Sequence, residues 1–437
     1  MNDKTILRGR LLSFRREPEN ADDTAAFSYI EDGALVMAGG MILSVGAYAD
    51  LGSDVRQAAS IIDHRPHLIL PGFIDAHLHF PQMHAVASWG AQLMEWLNTY
   101  TFPQEARFAE LAHAERMAGW FLDQLVSQGT TTVAAYCSVH STSATALFQA
   151  AMQRNYRLIA GKALMDRNAP DAVLDTPQLG YDETRSLIAR WHGQGRIDYA
   201  ITPRFAITST PEQMETVAAL IAEHPDCYVQ THLNENHYEI ELTLSLYPKA
   251  RDYLDIYEAY GMLGPKSLFG HSIHMNQRER AAMAASGSVA VFCPTSNLFL
   301  GSGLFDEAAM KSASVRTAIA TDIGGGTDYS MLRTLDEAYK VLQLQNQKLD
   351  PYRAFYWLTL GNARALSKQA EIGTLEVGTE ADVVVLNSAA TPQMAMRMET
   401  VTSLREELFV LQTFGDDRAI AETYVSGKAA KNRSLTS

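Results

Sequence analysis

Two histidines one residue apart close the apolar run "PGFIDAHLH", which sets His77 and His79 two positions apart at the end of what reads as a strand. Side chains in a strand alternate faces, so both imidazoles project the same way. Alone, such a pair is more often polar residues ending a strand than half a metal site. Further along, His232 in "QTHLNEN", His271 in "FGHSIH" and Asp322 in "IATDIGGG" each stand at the end of another apolar run. Imidazoles and a carboxylate gathered at one place suit a borderline divalent cation, Zn2+ or Fe2+ alike. Such an ion lowers the pKa of water towards about 7 and so supplies a nucleophile at neutral pH. Glu235, three residues past His232, is a candidate general acid or base, although "NENHYEIE" also permits a solvated loop carboxylate. Asp322 is placed to take the water's proton. The implied chemistry is hydrolysis at an electrophilic carbon.

These residues need a scaffold that brings strand ends together. From about residue 68, apolar β-type runs alternate with longer amphipathic stretches in eight successive units, from "HLILPGFIDAH" with "FAELAHAERMAGWFLDQLVSQG" to "VRTAIATD" with "MLRTLDEAYKVLQLQ". Continuous apolar strands imply burial on both faces, and eight such units predict a closed parallel (β/α)8 barrel over residues 68–370. The C-terminal strand ends of such a barrel form one rim, its catalytic face. An open doubly wound sheet would bring a glycine-rich phosphate turn after its first strand, and none occurs. Residues 1–67 and 371–437 contain short alternating strands with Gly turns, which predict a small β-sandwich assembled from both termini.

At 437 residues and 47% hydrophobic content the chain can bury a sizeable core. A formal net charge of -14 disfavours nucleic-acid and anionic-membrane partners, which take cationic surfaces, and leaves a small, weakly charged substrate as the simpler partner. Cys137, Cys227 and Cys293 are far apart, with no CxxC pair, so neither a disulfide framework nor a zinc ribbon is indicated. The N-terminal stretch has no secretory h-region and no run is long and apolar enough to span a bilayer, so a soluble, cytoplasmic protein is expected.

The set "DAHLH", "THLNE", "GHSIH" and "ATD" resembles the amidohydrolase superfamily in its mononuclear deaminase branch, and "EIGTLEVGTEADVVVLN" resembles the return strand of its small domain. The likeness extends through "HFPQ", "LMEWLNTYTFPQEARF", "MDRNAPD", "ITPRFA", "FCPTSNLFLGSGLF", "TDIGGGTDYSML" and "GDDRAI", nearly the whole chain. It implies one metal ion per chain, zinc or alternatively iron, held by His77, His79, His232 and Asp322. Glu235 would shuttle protons, and His271 would orient or polarise the attacking water. The implied substrate is guanine, converted to xanthine and ammonia, with Gln82, Arg204 and Phe205 holding the purine. An amide reading a lactam edge, a guanidinium on the O6 carbonyl and a ring stacked on the base are chemically apt. Binuclear members hold a bridging lysine at the end of strand four. This chain has Arg204 there, and Lys162 on strand three reads as structural or supporting. A homodimer is also implied.

The chain departs from the family pattern at Ala76, where Thr is usual, and at Ile207, where Pro is usual; neither position supplies a ligand. Trp89 and Trp96 are read as pocket walls or as core. The nearest rival is a deaminase or hydrolase of another aminopurine, a pterin or a chlorotriazine on the same scaffold. A non-catalytic scaffold protein is the rival from another class, but such chains lose ligands and this one keeps them all. A cytidine-deaminase-like zinc enzyme is excluded, since no HxE with PCxxC is present.

Overall fold

The computed structural model describes residues 4–90 and 92–431. Eight parallel strands, Phe73–His79, Thr130–Tyr136, Arg157–Gly161, Ile197–Pro203, Tyr228–Leu233, Ser267–His271, Val289–Phe292 and Arg316–Ile319, are paired in that order. Helices follow each strand, as the amphipathic stretches predict. In Leu111–Ser127, for example, Ala114, Met117, Ala118, Phe121, Leu122 and Leu125 form the buried stripe.

The ring closes between its first and eighth strands through side chains as much as through backbone. Asn362 Nδ2 donates to Ile74 O at 2.6 Å and Ile319 O at 2.8 Å, while its Oδ1 accepts from Ile319 N at 2.9 Å. Asp75, fully buried, accepts from the backbone N of Thr321 at 3.1 Å and from its hydroxyl. Above them Asp322 N donates to His77 O at 2.9 Å, so the closing seam itself sets a candidate ligand beside another. The barrel interior is filled by small and aliphatic side chains, among them Ile74, Ala76, Ala134, Ile159, Ala200, Leu268 and Val291. Ala76, one of the two departures, is therefore lumen packing.

A seven-stranded sheet is built from both ends of the chain. Its central strand, Ser60–Pro71, pairs in parallel with Thr5–Phe14 and antiparallel with Val383–Leu386. The run "HLILPGFIDAH", predicted as one barrel strand, is thus two: Leu68–Pro71 finish a strand of the terminal sheet, and the chain enters the barrel only after Gly72. A Cβ at Gly72 would lie 2.2 Å from Thr131 Oγ1, so only glycine lets the two sheets meet there.

The "GTEADVVVL" segment fastens this sheet to the barrel by charge. Glu380 accepts from Arg157 Nε and Arg196 Nε, both at 2.9 Å, and Asp382 pairs with Arg196. Both guanidiniums are buried, their side chains 5% and 9% exposed. Replacing Glu380 by alanine leaves two buried cations short of a counter-charge, and the expected cost is about 3 kcal/mol. Chemical denaturation measures it, as a lowered midpoint at unchanged slope. No helix of the described residues is long and apolar enough to cross a membrane.

Candidate active site

The first strand delivers His77 and His79. Its register against the second strand is irregular between Asp75 and Leu78, an interruption of the kind that re-aims side chains. Past it both imidazoles, buried, face the rim. The fifth strand delivers His232 and the sixth His271, and Asp322 follows the eighth. Asn234, His271 and Asp322 hold positive φ, at 51°, 68° and 54°. Non-glycine residues in that region cost about 1–3 kcal/mol each and persist where surrounding structure dictates them, commonly at functional sites. At Asn234 the reversal turns the chain so that buried Glu235 faces the same cluster as His232.

The donor atoms converge. His77 Nε2 and His79 Nε2 lie 3.3 and 3.4 Å from Asp322 Oδ1, and His79 Nε2 lies 3.1 Å from His232 Nε2. His232 Nδ1 donates to Arg204 O at 2.7 Å, which leaves the Nε2 lone pair directed into the cluster. His77 Nδ1, His77 Nε2 and His79 Nδ1 are buried with no hydrogen-bond partner. Buried nitrogens without partners are costly, and a cation among them removes that cost, so this donor set fits a metal ion. Burial pushes the His79 imidazole down to about 3 and that of His271 down to about 4, while His232 is also held well below the usual range, by burial and then by its neighbouring histidines. Neutral imidazoles are the ligating form. Burial opposes ionisation of Asp322, but the His77 and His79 imidazoles beside it prevail and hold its carboxyl well below the usual range.

Gly270 packs against this cluster. A Cβ there would lie 2.6 Å from His77 Cε1 and 3.0 Å from Nδ1. Gly270→Ala therefore displaces His77, and metal affinity should fall by about 10- to 100-fold, the range for disturbed ligand positioning; competition with a chromogenic chelator measures it.

Glu235 Oε1 accepts from Ser302 Oγ at 2.8 Å, and Oε2 lies 3.4 Å from His271 Nε2. Its backbone N donates to Glu239 Oε2 at 2.8 Å, within the capping box that Asn236 and Glu239 form at the next helix. Burial, then the charges of Glu239 and Asp322, push the Glu235 carboxyl well above the usual carboxylate range. The Asn297 side-chain amide lies 2.9 Å from His271 Nδ1 and fixes that ring.

A pocket opens on these groups, lined besides by Gln82, Leu93, Trp96, Leu97, Arg204, Phe205 and Leu300. Of the residues singled out from the sequence as ligands, catalytic groups or purine contacts, His79, Gln82, Arg204, Phe205, His232, Glu235, His271 and Asp322 line it, and His77 lies beside them in the donor cluster. Trp96 meets both of its readings, lining the pocket while packed in the buried apolar cluster of Leu93 and Leu97. Trp89 is neither wall nor core: it is 74% exposed, because the segment carrying it turns outward before the wall-forming helix begins. Lys162 is fully buried and paired with Asp175 at 2.5 Å and Glu183 at 3.2 Å, which makes it structural. Ile207 packs in the apolar cluster behind Phe205.

Sequence reasoning missed Glu105, Asn297, Ser302 and Glu239. Glu105 Oε1 accepts from Gln82 Nε2 at 2.9 Å and from Arg204 Nη1 at 2.7 Å, 1% exposed. It lies on the short helix Phe102–Ala106, between the first strand and its barrel helix, where no periodicity marks which residues turn inward. Another donor grouping, His192, Asp226 and Cys227, does not suit a cation. His192 Nδ1 accepts from Tyr199 N, so its Nε2 carries the proton it gives Asp226.

A (β/α)8 barrel whose rim holds four buried histidines, two carboxyl groups and a pocket defines a metal-dependent hydrolase. The chain belongs to the amidohydrolase family, whose model matches residues 68–430. It is 45% identical to the guanine deaminase of Escherichia coli K12 over 98% of both chains. The solved E. coli guanine deaminase superposes with a TM-score of 0.95 at 44% identity, covering 99% of each chain. The guanine deaminase of C. acetobutylicum, solved with guanine bound in its active site, gives 0.88 at 28% identity, covering 98% of this chain and 100% of that one.

Proposed function

We propose that this chain hydrolyses guanine to xanthine and ammonia, using one divalent cation, zinc in our reading, held by His77, His79, His232 and Asp322. One observation carries it: the buried Glu235, its carboxyl pushed well up by burial, and the donor cluster share a single pocket with Arg204, Gln82 and Phe205. Its similarity to guanine deaminases, one of them solved with guanine in the active site, supports guanine as the substrate.

A bound ion would acidify water at the cluster. Arg204 donates to the O6 carbonyl, Phe205 packs on the ring, and Leu93, Leu97 and Leu300 keep bulk water out. Glu235 gives its proton to N3 as the water's oxygen bonds to C2, which keeps charge from building on the ring. Asp322, held ionised, is the base that receives a proton from the water. The proton taken by Asp322 passes through Glu235 to the amine, the C2–N bond breaks to release ammonia, and the hydroxyl left on C2 returns its proton to Glu235 as it becomes the carbonyl. His271, fixed by Asn297, holds the incoming oxygen by hydrogen bonding. A cytoplasmic homodimer completes the reading: the compartment is the one expected from the cysteine spacing and the N-terminal stretch, the dimer rests on the family resemblance, and light scattering on the purified protein tests it.

Loss of guanine absorbance with stoichiometric ammonia release, measured beside metal content, tests the function. Protein loaded with one equivalent of zinc that leaves guanine untouched refutes it; turnover of another aminopurine or a pterin in its place establishes the rival.

A further inference from the structure

We infer that Glu105 decides which atoms of the pocket accept and which donate, and thereby makes the pocket selective for a ring N–H beside a ring carbonyl. This rests on the guanine reading and extends it, assigning selectivity to a positioning residue that acts through Gln82 and Arg204.

The geometry is a three-residue chain with the carboxylate at its centre. One oxygen of Glu105 takes Nε2 of Gln82 at 2.9 Å and Nη1 of Arg204 at 2.7 Å. A carboxylate bonded to a guanidinium offers only lone pairs. The orientation of a side-chain amide is ordinarily an assignment, but here chemistry makes it: Gln82 must turn its NH2 to Glu105. Its carbonyl oxygen is then the atom left for a ligand. Arg204 keeps further N–H donors, and its guanidinium lies 5.3 Å from the Phe102 ring centroid, a neighbour that does not compete for them. The two opposite charges also compensate each other within a buried site, so the pair presents no uncompensated charge to a neutral ligand.

An acceptor at Gln82 next to a donor at Arg204 complements the N1–H and C6=O of guanine. 2,6-Diaminopurine carries the same amine at C2 but reverses the edge, with a bare N1 and an amine at C6. It would set acceptor against acceptor and donor against donor. Mismatches of buried hydrogen-bonding groups are the strongest basis of discrimination available to a pocket.

Glu105→Gln removes the constraint, because an amide at that position can donate or accept and Gln82 is free to turn. The expected result is a fall in kcat/KM for guanine of about 100-fold, carried mainly by KM, with a much smaller change for 2,6-diaminopurine, so that the preference drops by about tenfold or more. The double variant Gln82→Glu with Glu105→Gln exchanges the two groups and keeps the charge count. Its amide, now on the short helix, can accept from Arg204 and donate to the carboxylate placed after the first strand. The second oxygen of that carboxylate again faces the pocket as an acceptor, and the preference for guanine should return. Equal losses on both substrates in the single variant, or an exchange without the guanine preference, overturn the inference. If the single variant does not fold, the exchange is decisive on its own. Wild-type protein inactive on guanine overturns the functional reading and this inference together; active wild type with an unaltered preference in the variants overturns only this one.

Discussion

Replacing Glu235 by glutamine should lower kcat for guanine by about 1000-fold, within the span expected for loss of a positioned acid-base group, while fold and metal content stay as they were. Glutamine has the shape of glutamic acid and can still accept from Ser302, but it carries no transferable proton. The native group is prepared for transfer by three features of its surroundings. Burial and the facing charges of Glu239 and Asp322 favour the protonated form. Ser302 holds one oxygen at 2.8 Å, and the other lies 3.4 Å from His271. The capping box holds the backbone, Glu239 accepting from the N–H of Glu235 itself. KM should change little, since Glu235 serves the reaction coordinate more than binding. Rapid-quench kinetics with zinc determined on the same sample decide the matter. Undiminished ammonia release from Glu235→Gln or Glu235→Ala would end the mechanism, and loss of zinc along with activity would turn Glu235 into a structural neighbour of the metal.

The residues that sequence reasoning located share one property: they sit at or just past the ends of apolar strands. The barrel converts that position into convergence, so His77, His79, His232, His271 and Asp322 could be assembled without any knowledge of contacts. Arg204 and Phe205 follow strand four by the same rule. Glu105, Asn297 and Ser302 lie on short helices or loops between strands and helices, where neither period applies, and their partners are 99, 26 and 67 residues away in sequence. Nor does sequence show that Arg204 serves twice, its carbonyl taking His232 Nδ1 while its guanidinium faces the pocket. The fold shows the same division. Eight βα units were legible from hydrophobic runs, whereas the break at Gly72 was not, because "LILPGFIDAH" is equally apolar on both sides of it. Only the different partners of Leu70 and Ile74, Val384 in the terminal sheet and Thr132 in the barrel, separate them.

Removing the metal should abolish turnover and also lower thermal stability, and the second effect separates a resident ion from an adventitious activator. A ligand at 1000 times its dissociation constant stabilises a fold by about 4 kcal/mol, which for a chain of this size is a shift of several degrees. Zinc returned after chelation should restore both quantities, with Fe2+ as the informative competitor. Acid should act on the same site with a definite sign. His79 and His271 are held at about 3 and about 4, below the 6.5 of a free imidazole. Between those limits the unfolded chain binds protons that the folded one refuses, so the metal-free protein loses stability as pH falls from about 6.5 towards 4. Asp322, held well below its usual range, adds to the loss only further down, beneath the 3.8 of a free carboxyl. The metal-loaded protein should lose more over the same interval, because protons then compete with the ion for the same lone pairs. Thermal denaturation of both forms from pH 7.5 to 4.5 measures this. Two curves that run parallel would show that the histidines do not hold the ion.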